Sequence, residues 1–266
     1  MMGRAALLIF LAAAPARAAG CLGALAGALT GSAKPPALSC FAPDASWLDE
    51  AGVSTGPASV RAGLARLASA AWAPKGLAWR RLSTGTWLLT GLRVPGTWAG
   101  PEALVAVDLA GAGGFFAAAR VYRAARPWPA DAPDQGPAWT AAQAAAAFNG
   151  TFARGDVPAW AAQWAPDARF ISVVGPYEGK GVAMFFRKQA ERYADPRMTP
   201  SRDEGPAPDG SLVMEGTISG RCRSTGSAFA FPYLMLMRRK SGRLSFVYEA
   251  FATYDDGCGP YWAVPH

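Results

Sequence analysis

The chain has 266 residues, 51% of them hydrophobic and 17% charged, with a net charge of +7. That balance excludes a disordered polymer and fits one or two packed domains. The longest basic run is Arg238-Arg239-Lys240, which reads as a solvated hairpin end, so no nucleic-acid partner is expected.

The N-terminus has the layout of a secretory signal peptide over 1–18. Arg4 supplies the positive region, Ala5 to Ala14 an apolar stretch, and Ala16-Arg17-Ala18 an A-x-A cleavage site. A buried N-terminal helix and a lipoprotein with Cys21 as the lipidated residue are the weaker alternatives. The apolar stretch is too short to span a bilayer, and no stable membrane span is expected elsewhere. Export of the chain, to the secretory lumen, the periplasm or the outside, is the expectation.

The remainder repeats itself. Phe41-Ala42-Pro43-Asp44-Ala45 and Trp164-Ala165-Pro166-Asp167-Ala168 lie 123 residues apart, as do Gly56 and Gly179. Further on, Gly91 aligns with Gly216 and Phe115 with Leu244, offsets of 125 and 129. A period this long means two tandem domains rather than a solenoid. The first is expected over 19–123, in degraded form, and the second over 139–266.

In chain order, the first domain reads as a helix near 19–31, a strand at 44–49, a helix at 58–71 with Val60, Leu64 and Leu67 on one face, and strands near 77–83, 85–93, 102–109 and 115–123. Residues 124–138, AARPWPADAPDQGPA, form a Pro-rich linker. Thr140 and Gln143 make a capping box before an Ala-rich helix at 141–153. Asp156 caps a second short helix, and Pro166 stops it before a strand at 167–172. A third helix follows Gly181, and strands follow near 198–203, 211–222, 227–239 and 243–255.

Cys21, Cys40, Cys222 and Cys258 form no C-x-x-C pair and have no histidine nearby, so neither a metal site nor a cofactor is expected. An even count in an exported chain reads as disulfides. Proximity favours Cys21–Cys40 and Cys222–Cys258, and four buried thiols is the alternative. The sole histidine is His266, which removes Ser-His-Asp and Cys-His chemistry. Asn149-Gly150-Thr151 is a glycosylation sequon, but inside a predicted helix.

Helices followed by an antiparallel meander, with the stretch FNGTFARGDVPAWAAQWAPDARF beginning at Phe148 and a glycine-to-phenylalanine spacing from Gly179 to Phe186, resemble the SnoaL-like members of the nuclear-transport-factor-2-like superfamily. The resemblance implies an α+β fold of two tandem cones, each with N-terminal helices on a curved antiparallel sheet around an apolar pocket, and an intramolecular pseudo-dimer of the two. It implies that the pocket of the second cone is lined by Phe148, Trp164, Phe170, Phe231, Tyr233, Met235, Met237 and Phe251. Of the residues that ketosteroid isomerases in this superfamily use, the base position falls on Ser172, the tyrosine on Phe148 and the second acid on Met235, so that triad is absent. In the first domain the base position is Asp49.

Strand alternation points Glu249 into the second cone and Arg120 and Tyr122 into the first, where Arg120 would pair with Asp49 or hold an anionic ligand. Three readings follow: a binder of a small apolar or amphipathic molecule, an isomerase, cyclase or dehydratase using Glu249 or Asp49 as acid or base, and a non-catalytic structural module.

Overall fold

A computed structural model describes residues 17–30, 37–70, 77–82, 85–97, 100–110, 114–124, 126, 139–201, 206, 211–253 and 257–258. Most of the expected leader and linker lies outside the described residues. The chain divides into two compact units, Met1–Thr97 with Pro101–Tyr122, and Trp98–Gly100 with Arg123–His266.

In the first unit a helix over 17–29 (α1) is tied by the Cys21–Cys40 disulfide to the 3-10 turn Ala37–Cys40, which leads directly into the strand β1, Phe41–Asp49. A short strand β2, Gly52–Thr55, folds back on β1, and the helix α2, Pro57–Ala70, follows. The meander β3 (Ala78–Arg81), β4 (Thr86–Thr97), β5 (Gly100–Ala110) and β6 (Phe115–Ala124) runs in sequence order. β1 joins it parallel to β6, Trp47 opposite Ala119 and Leu48 opposite Arg120. The core gathers Leu25, Trp47, Val60, Leu89, Val105, Phe116 and Val121. Trp47 is fully buried and packs so closely on Gly63 of α2 that a Cβ there would overlap the indole ring.

The second unit opens with α3, Ala141–Gly150, whose N-terminus carries the capping box of Thr140 and Gln143. The Thr151 hydroxyl donates back to Ala147 O at 2.7 Å, and the helix expected to run to 153 gives way to a 3-10 turn at Phe152–Arg154, ended by Gly155 in the left-handed region. Asp156 caps α4, Val157–Ala161. β7 (Trp164–Ser172) and β8 (Gly175–Glu178) form a hairpin, and α5 (Lys180–Arg192) follows. The meander is β9 (Tyr193–Pro200), β10 (Leu212–Cys222), β11 (Ala228–Lys240) and β12 (Arg243–Phe251), antiparallel throughout, with β7 parallel to β12. A disulfide links Cys222 at the end of β10 to Cys258.

Period-two alternation puts Phe229, Phe231, Tyr233, Met235 and Met237 of β11 into one core with Phe148, Trp160, Phe185 and Phe186 from the helices. A register shift opposite Arg238 and Arg239 lets both Leu244 and Val247 of β12 face that core. Asn149 holds α3 to β9 by two bonds to Met198: its amide donates to Met198 O at 2.8 Å and its carbonyl accepts from Met198 N at 2.9 Å. The side chain of the sequon asparagine is thereby occupied.

The short strands β2 and β8 are absent from the sequence reading. Gly-Val-Ser-Thr and Gly-Pro-Tyr-Glu are half exposed and too short to show a period. Both nine-residue strands β1 and β7 share a burial pattern differing at one position. The turn after each is closed alike: Gly56 N donates to Ala45 O at 2.9 Å, and Gly179 N to Ala168 O at 2.8 Å.

Candidate functional site

The second unit holds a hollow of about 60 Å³ between α3, α5 and the concave sheet face. Phe148, Phe186, Phe229, Phe231 and Phe251 supply aromatic wall, and Ser172, Gln189, Tyr193 and Glu249 its polar atoms. A second hollow of about 30 Å³ shares Phe148, Phe186, Ile218 and Glu249 with it and adds Trp160, Trp164, Phe170, Met235 and Met237. At roughly 10–15 Å³ per water-sized group, the larger has room for about four to six such groups. A groove of about 230 Å³ beside Gly179 and Lys180 at the start of α5 is lined by Trp164, Val182 and Phe186, not by Glu249.

Glu249 reaches the hollow from near the C-terminal end of β12. The parallel ladder pairs Val247 with Phe170 and Tyr248 with Ile171, which brings Glu249 beside Ser172. The Ser172 hydroxyl hydrogen-bonds its carboxylate, while the Ser172 oxygen receives Val174 N at 3.5 Å. Glu249 is buried among Phe and Met side chains. Loss of hydration pushes its pKa up to about 8, against the smaller opposing effect of the Ser172 bond. At neutral pH the carboxyl therefore carries a proton most of the time, and it exchanges that proton within the physiological range. Tyr177 of β8 feels the charge: burial first, and Glu249 second, raise its phenol above the ordinary range.

Other expected residues fall as follows. Phe148, Ser172, Phe231 and Phe251 line the larger hollow, and Trp164, Phe170, Met235 and Met237 the smaller. Tyr233 belongs to the same core but lines neither hollow. Its ring reaches across to Gly216, and its hydroxyl is buried without a hydrogen-bond partner. Burial raises its pKa.

Asp49 is not placed as a free base. Its Oδ2 accepts from Trp47 Nε1 at 2.8 Å and from Arg66 Nη2 at 2.7 Å, and its Oδ1 from Ala51 N at 2.9 Å. The carboxylate is an anchor for the indole that fills the first unit's core.

The expected Asp49–Arg120 pairing does not form. Arg120 binds Asp108 through two bonds, Nη1 to Oδ2 at 2.7 Å and Nη2 to Oδ1 at 3.0 Å. The core of the first unit takes Ala119 and Val121 from β6, so Arg120 and Tyr122 alternate onto the opposite face. The ladders show why. Phe41 pairs with Phe116 as Trp164 pairs with Leu244, and Trp47 with Ala119 as Phe170 with Val247. The offset is 128, not 129, and Val121 is the counterpart of Glu249. A slip of one residue turns every side chain to the other face.

Gln189, Tyr193, Ile218 and Phe229 are lining residues that the sequence reading did not single out for the pocket. Gln189 was visible as a polar residue four positions after Phe185 in the buried stripe of α5, and Phe229 as the residue two before Phe231. Among the described residues no group of three His, Cys, Asp or Glu is arranged to hold a metal ion, and no helix is long and apolar enough to cross a membrane.

No curated protein matches the chain. Among solved structures it is similar to a proposed polyketide cyclase from Pseudomonas putida KT2440 (22% identity, 45% of this chain and 96% of that one, TM-score 0.38). It is also similar to a nuclear-transport-factor-2-like protein of unknown function from Burkholderia pseudomallei K96243 (22%, 42% and 89%, TM-score 0.34). A third is a protein with a ketosteroid-isomerase-like fold from Catenulispora acidiphila DSM 44928, in complex with trimethylamine (14%, 39% and 80%, TM-score 0.34). The sequence profile of the SnoaL-like domain matches residues 144–247, which supply the lining of both hollows apart from Glu249 and Phe251, so this part of the second unit is similar to a SnoaL-like domain.

Proposed function

We propose that the chain is an exported binding protein whose second unit takes a small, mainly apolar molecule into its cone, with Glu249 meeting the one polar group of the guest. The observation that carries this reading is a buried carboxyl in the wall of an otherwise aromatic hollow, with Ser172 as its hydrogen-bond partner. A buried carboxyl with so little protein around it to satisfy it is costly to keep, and it is worth keeping where a ligand uses it. The two disulfides support an oxidising compartment. We read the first unit as a second, tandem copy of the cone, on the matching burial of β1 and β7 and the matching turns at Gly56 and Gly179. Trp47 fills its core.

Mass spectrometry tests the binding reading. Extracts of the native protein and of an Ile218→Phe variant, which adds bulk where the two hollows meet, are compared. One small molecule present with the native protein and lost from the variant is the expected result. Identical extracts from the two would count against the reading.

A second reading is favoured by one observation: a carboxyl titrating near pH 8 is matched to proton transfer at neutral pH. An isomerase, cyclase or dehydratase would use Glu249 as its acid or base. Turnover unaffected by Glu249→Gln would remove it.

A further inference from the structure

Glu249 is the one acid among the described residues that line the two contiguous hollows, and no Lys, Arg or His stands among them. Arg192 donates to the Tyr193 hydroxyl at 3.3 Å but does not line either space. Other titratable or charged groups around Glu249 are Tyr193, which lines the larger hollow from β9, Tyr177 on β8, Tyr233 on β11, two residues from the Met235 that pairs with Glu249, and the buried Arg123, which pairs with Phe251.

Most of the rest of the wall is aromatic, with Ser172, Gln189, Pro196 and Ile218 between the rings. Tyr193 and Phe229 have ring centroids 4.7 Å apart, Phe229 and Phe231 stack at 4.9 Å, and Phe231 meets Phe251 at 6.0 Å. Phe148, Phe185 and Phe186 close the helix side. Aromatic faces carry negative electrostatic potential and attract cations, most of all where water is excluded. A carboxylate buried without a counter-ion is unstable by itself. An anion would be repelled by the ring faces and, above about pH 8, by the ionised carboxylate, and a neutral hydrocarbon would leave Glu249 as it was.

We propose that this cone takes a small alkylammonium cation, its charge set against the Glu249 carboxylate and its methyl groups against the aromatic wall. The proposal rests on the binding reading above and names its ligand class. The space of about 60 Å³ suits a trimethylammonium head of about four or five non-hydrogen atoms at roughly 10–15 Å³ per water-sized group. The Ser172 hydroxyl already serves the ionised form of Glu249. Binding below pH 8 is an exchange: the cation enters, and the carboxyl proton leaves to solvent.

Isothermal titration with choline chloride and its neutral isostere 3,3-dimethylbutan-1-ol tests this, because the two differ in charge and hardly in shape. Choline is expected to bind at least about tenfold more tightly at pH 8. Its affinity should rise about tenfold from pH 6 to pH 7, following the ionised fraction of Glu249, and level off above pH 8, with about one proton released per cation at pH 7. Glu249→Gln should abolish the preference, leaving the two probes alike. Phe231→Leu, which keeps apolar bulk and loses the ring face, should weaken choline about tenfold. The alcohol binding as tightly as choline, or choline affinity flat or falling with pH, would overturn the cation and leave the coarser reading standing. Neither probe binding would sink both.

Discussion

Ser172 and Glu249 lie side by side on the parallel strands β7 and β12, and the serine hydroxyl hydrogen-bonds a carboxylate that burial pushes up to about pH 8. By strand register the corresponding pair in the first unit is Asp49 and Val121, so the two units carry their acid on opposite partners of a like ladder. In the first unit that acid is spent on Trp47 and Arg66. In the second it faces a hollow.

The raised pKa predicts the pH dependence of stability. The folded chain holds a proton on Glu249 up to about pH 8, whereas the unfolded chain releases it near the ordinary carboxylate value. Between those limits the folded state binds the extra proton, so stability falls as pH rises from about 5 to 8 and is flat with respect to this group above that. Glu249→Gln removes the slope. Urea unfolding at pH 5 and pH 8 should show the variant gaining on the native protein by roughly a few kcal/mol across that span. Parallel pH profiles would contradict the burial described for Glu249.

Trp47 and Gly63 give a packing prediction. A methyl group at Gly63 overlaps the indole ring, which is fully buried and has nowhere to move. Gly63→Ala should cost about 1–3 kcal/mol. Gly23→Ala, on α1 with open space around it, should stabilise by about 0.4–1 kcal/mol. Chemical denaturation of the two variants compares a crowded helical glycine with an uncrowded one.

Asp49→Ala separates anchoring from chemistry. It leaves Trp47 Nε1 buried without an acceptor, at a cost of about 1–3 kcal/mol. Ligand binding by the second unit should be unchanged, as measured by titration of the native and variant proteins with the same probe. A loss of binding without a loss of stability would restore Asp49 as a functional residue.

Each disulfide should also be measurable. The Cys222–Cys258 bridge closes 36 residues and Cys21–Cys40 closes 19. Replacing either pair by alanine should cost about 2–4 kcal/mol, slightly more for the longer loop. Equilibrium unfolding of the two double variants checks both the size and the order.

Much of this architecture was legible in the sequence because its signals are local and repeated. The glycines before α2 and α5 and the Thr140–Gln143 capping box each fix a boundary through a specific backbone demand, whereas the aromatic-Ala-Pro-Asp-Ala motif lies inside β1 and β7, which begin at Phe41 and Trp164, three residues before the expected starts. The alternation along β11 and β12 placed Phe231, Met235, Phe251 and Glu249 on one face. What failed was register in the first unit. Phe115 and Phe116 are adjacent, and nothing local says which one turns inward; the structure buries Phe116 fully and Phe115 only in part. The wrong choice carried Arg120 and Tyr122 toward a core that Ala119 and Val121 face instead. Partners were equally hidden. Arg66 and Asp108 are ordinary surface-type residues in sequence, and their roles come from contacts across strands and helices that no short-range pattern records.

The central claim is that the second cone is an accessible hollow which takes a small guest. Methionine-methyl NMR during titration with cyclopentane tests it most directly. Met235 and Met237 line the smaller hollow, and Met184 is exposed on α5. The resonances of Met235 and Met237 should move to saturation while Met184 stays still. Unmoved Met235 and Met237 at saturating cyclopentane, or Met184 moving with them, would contradict it.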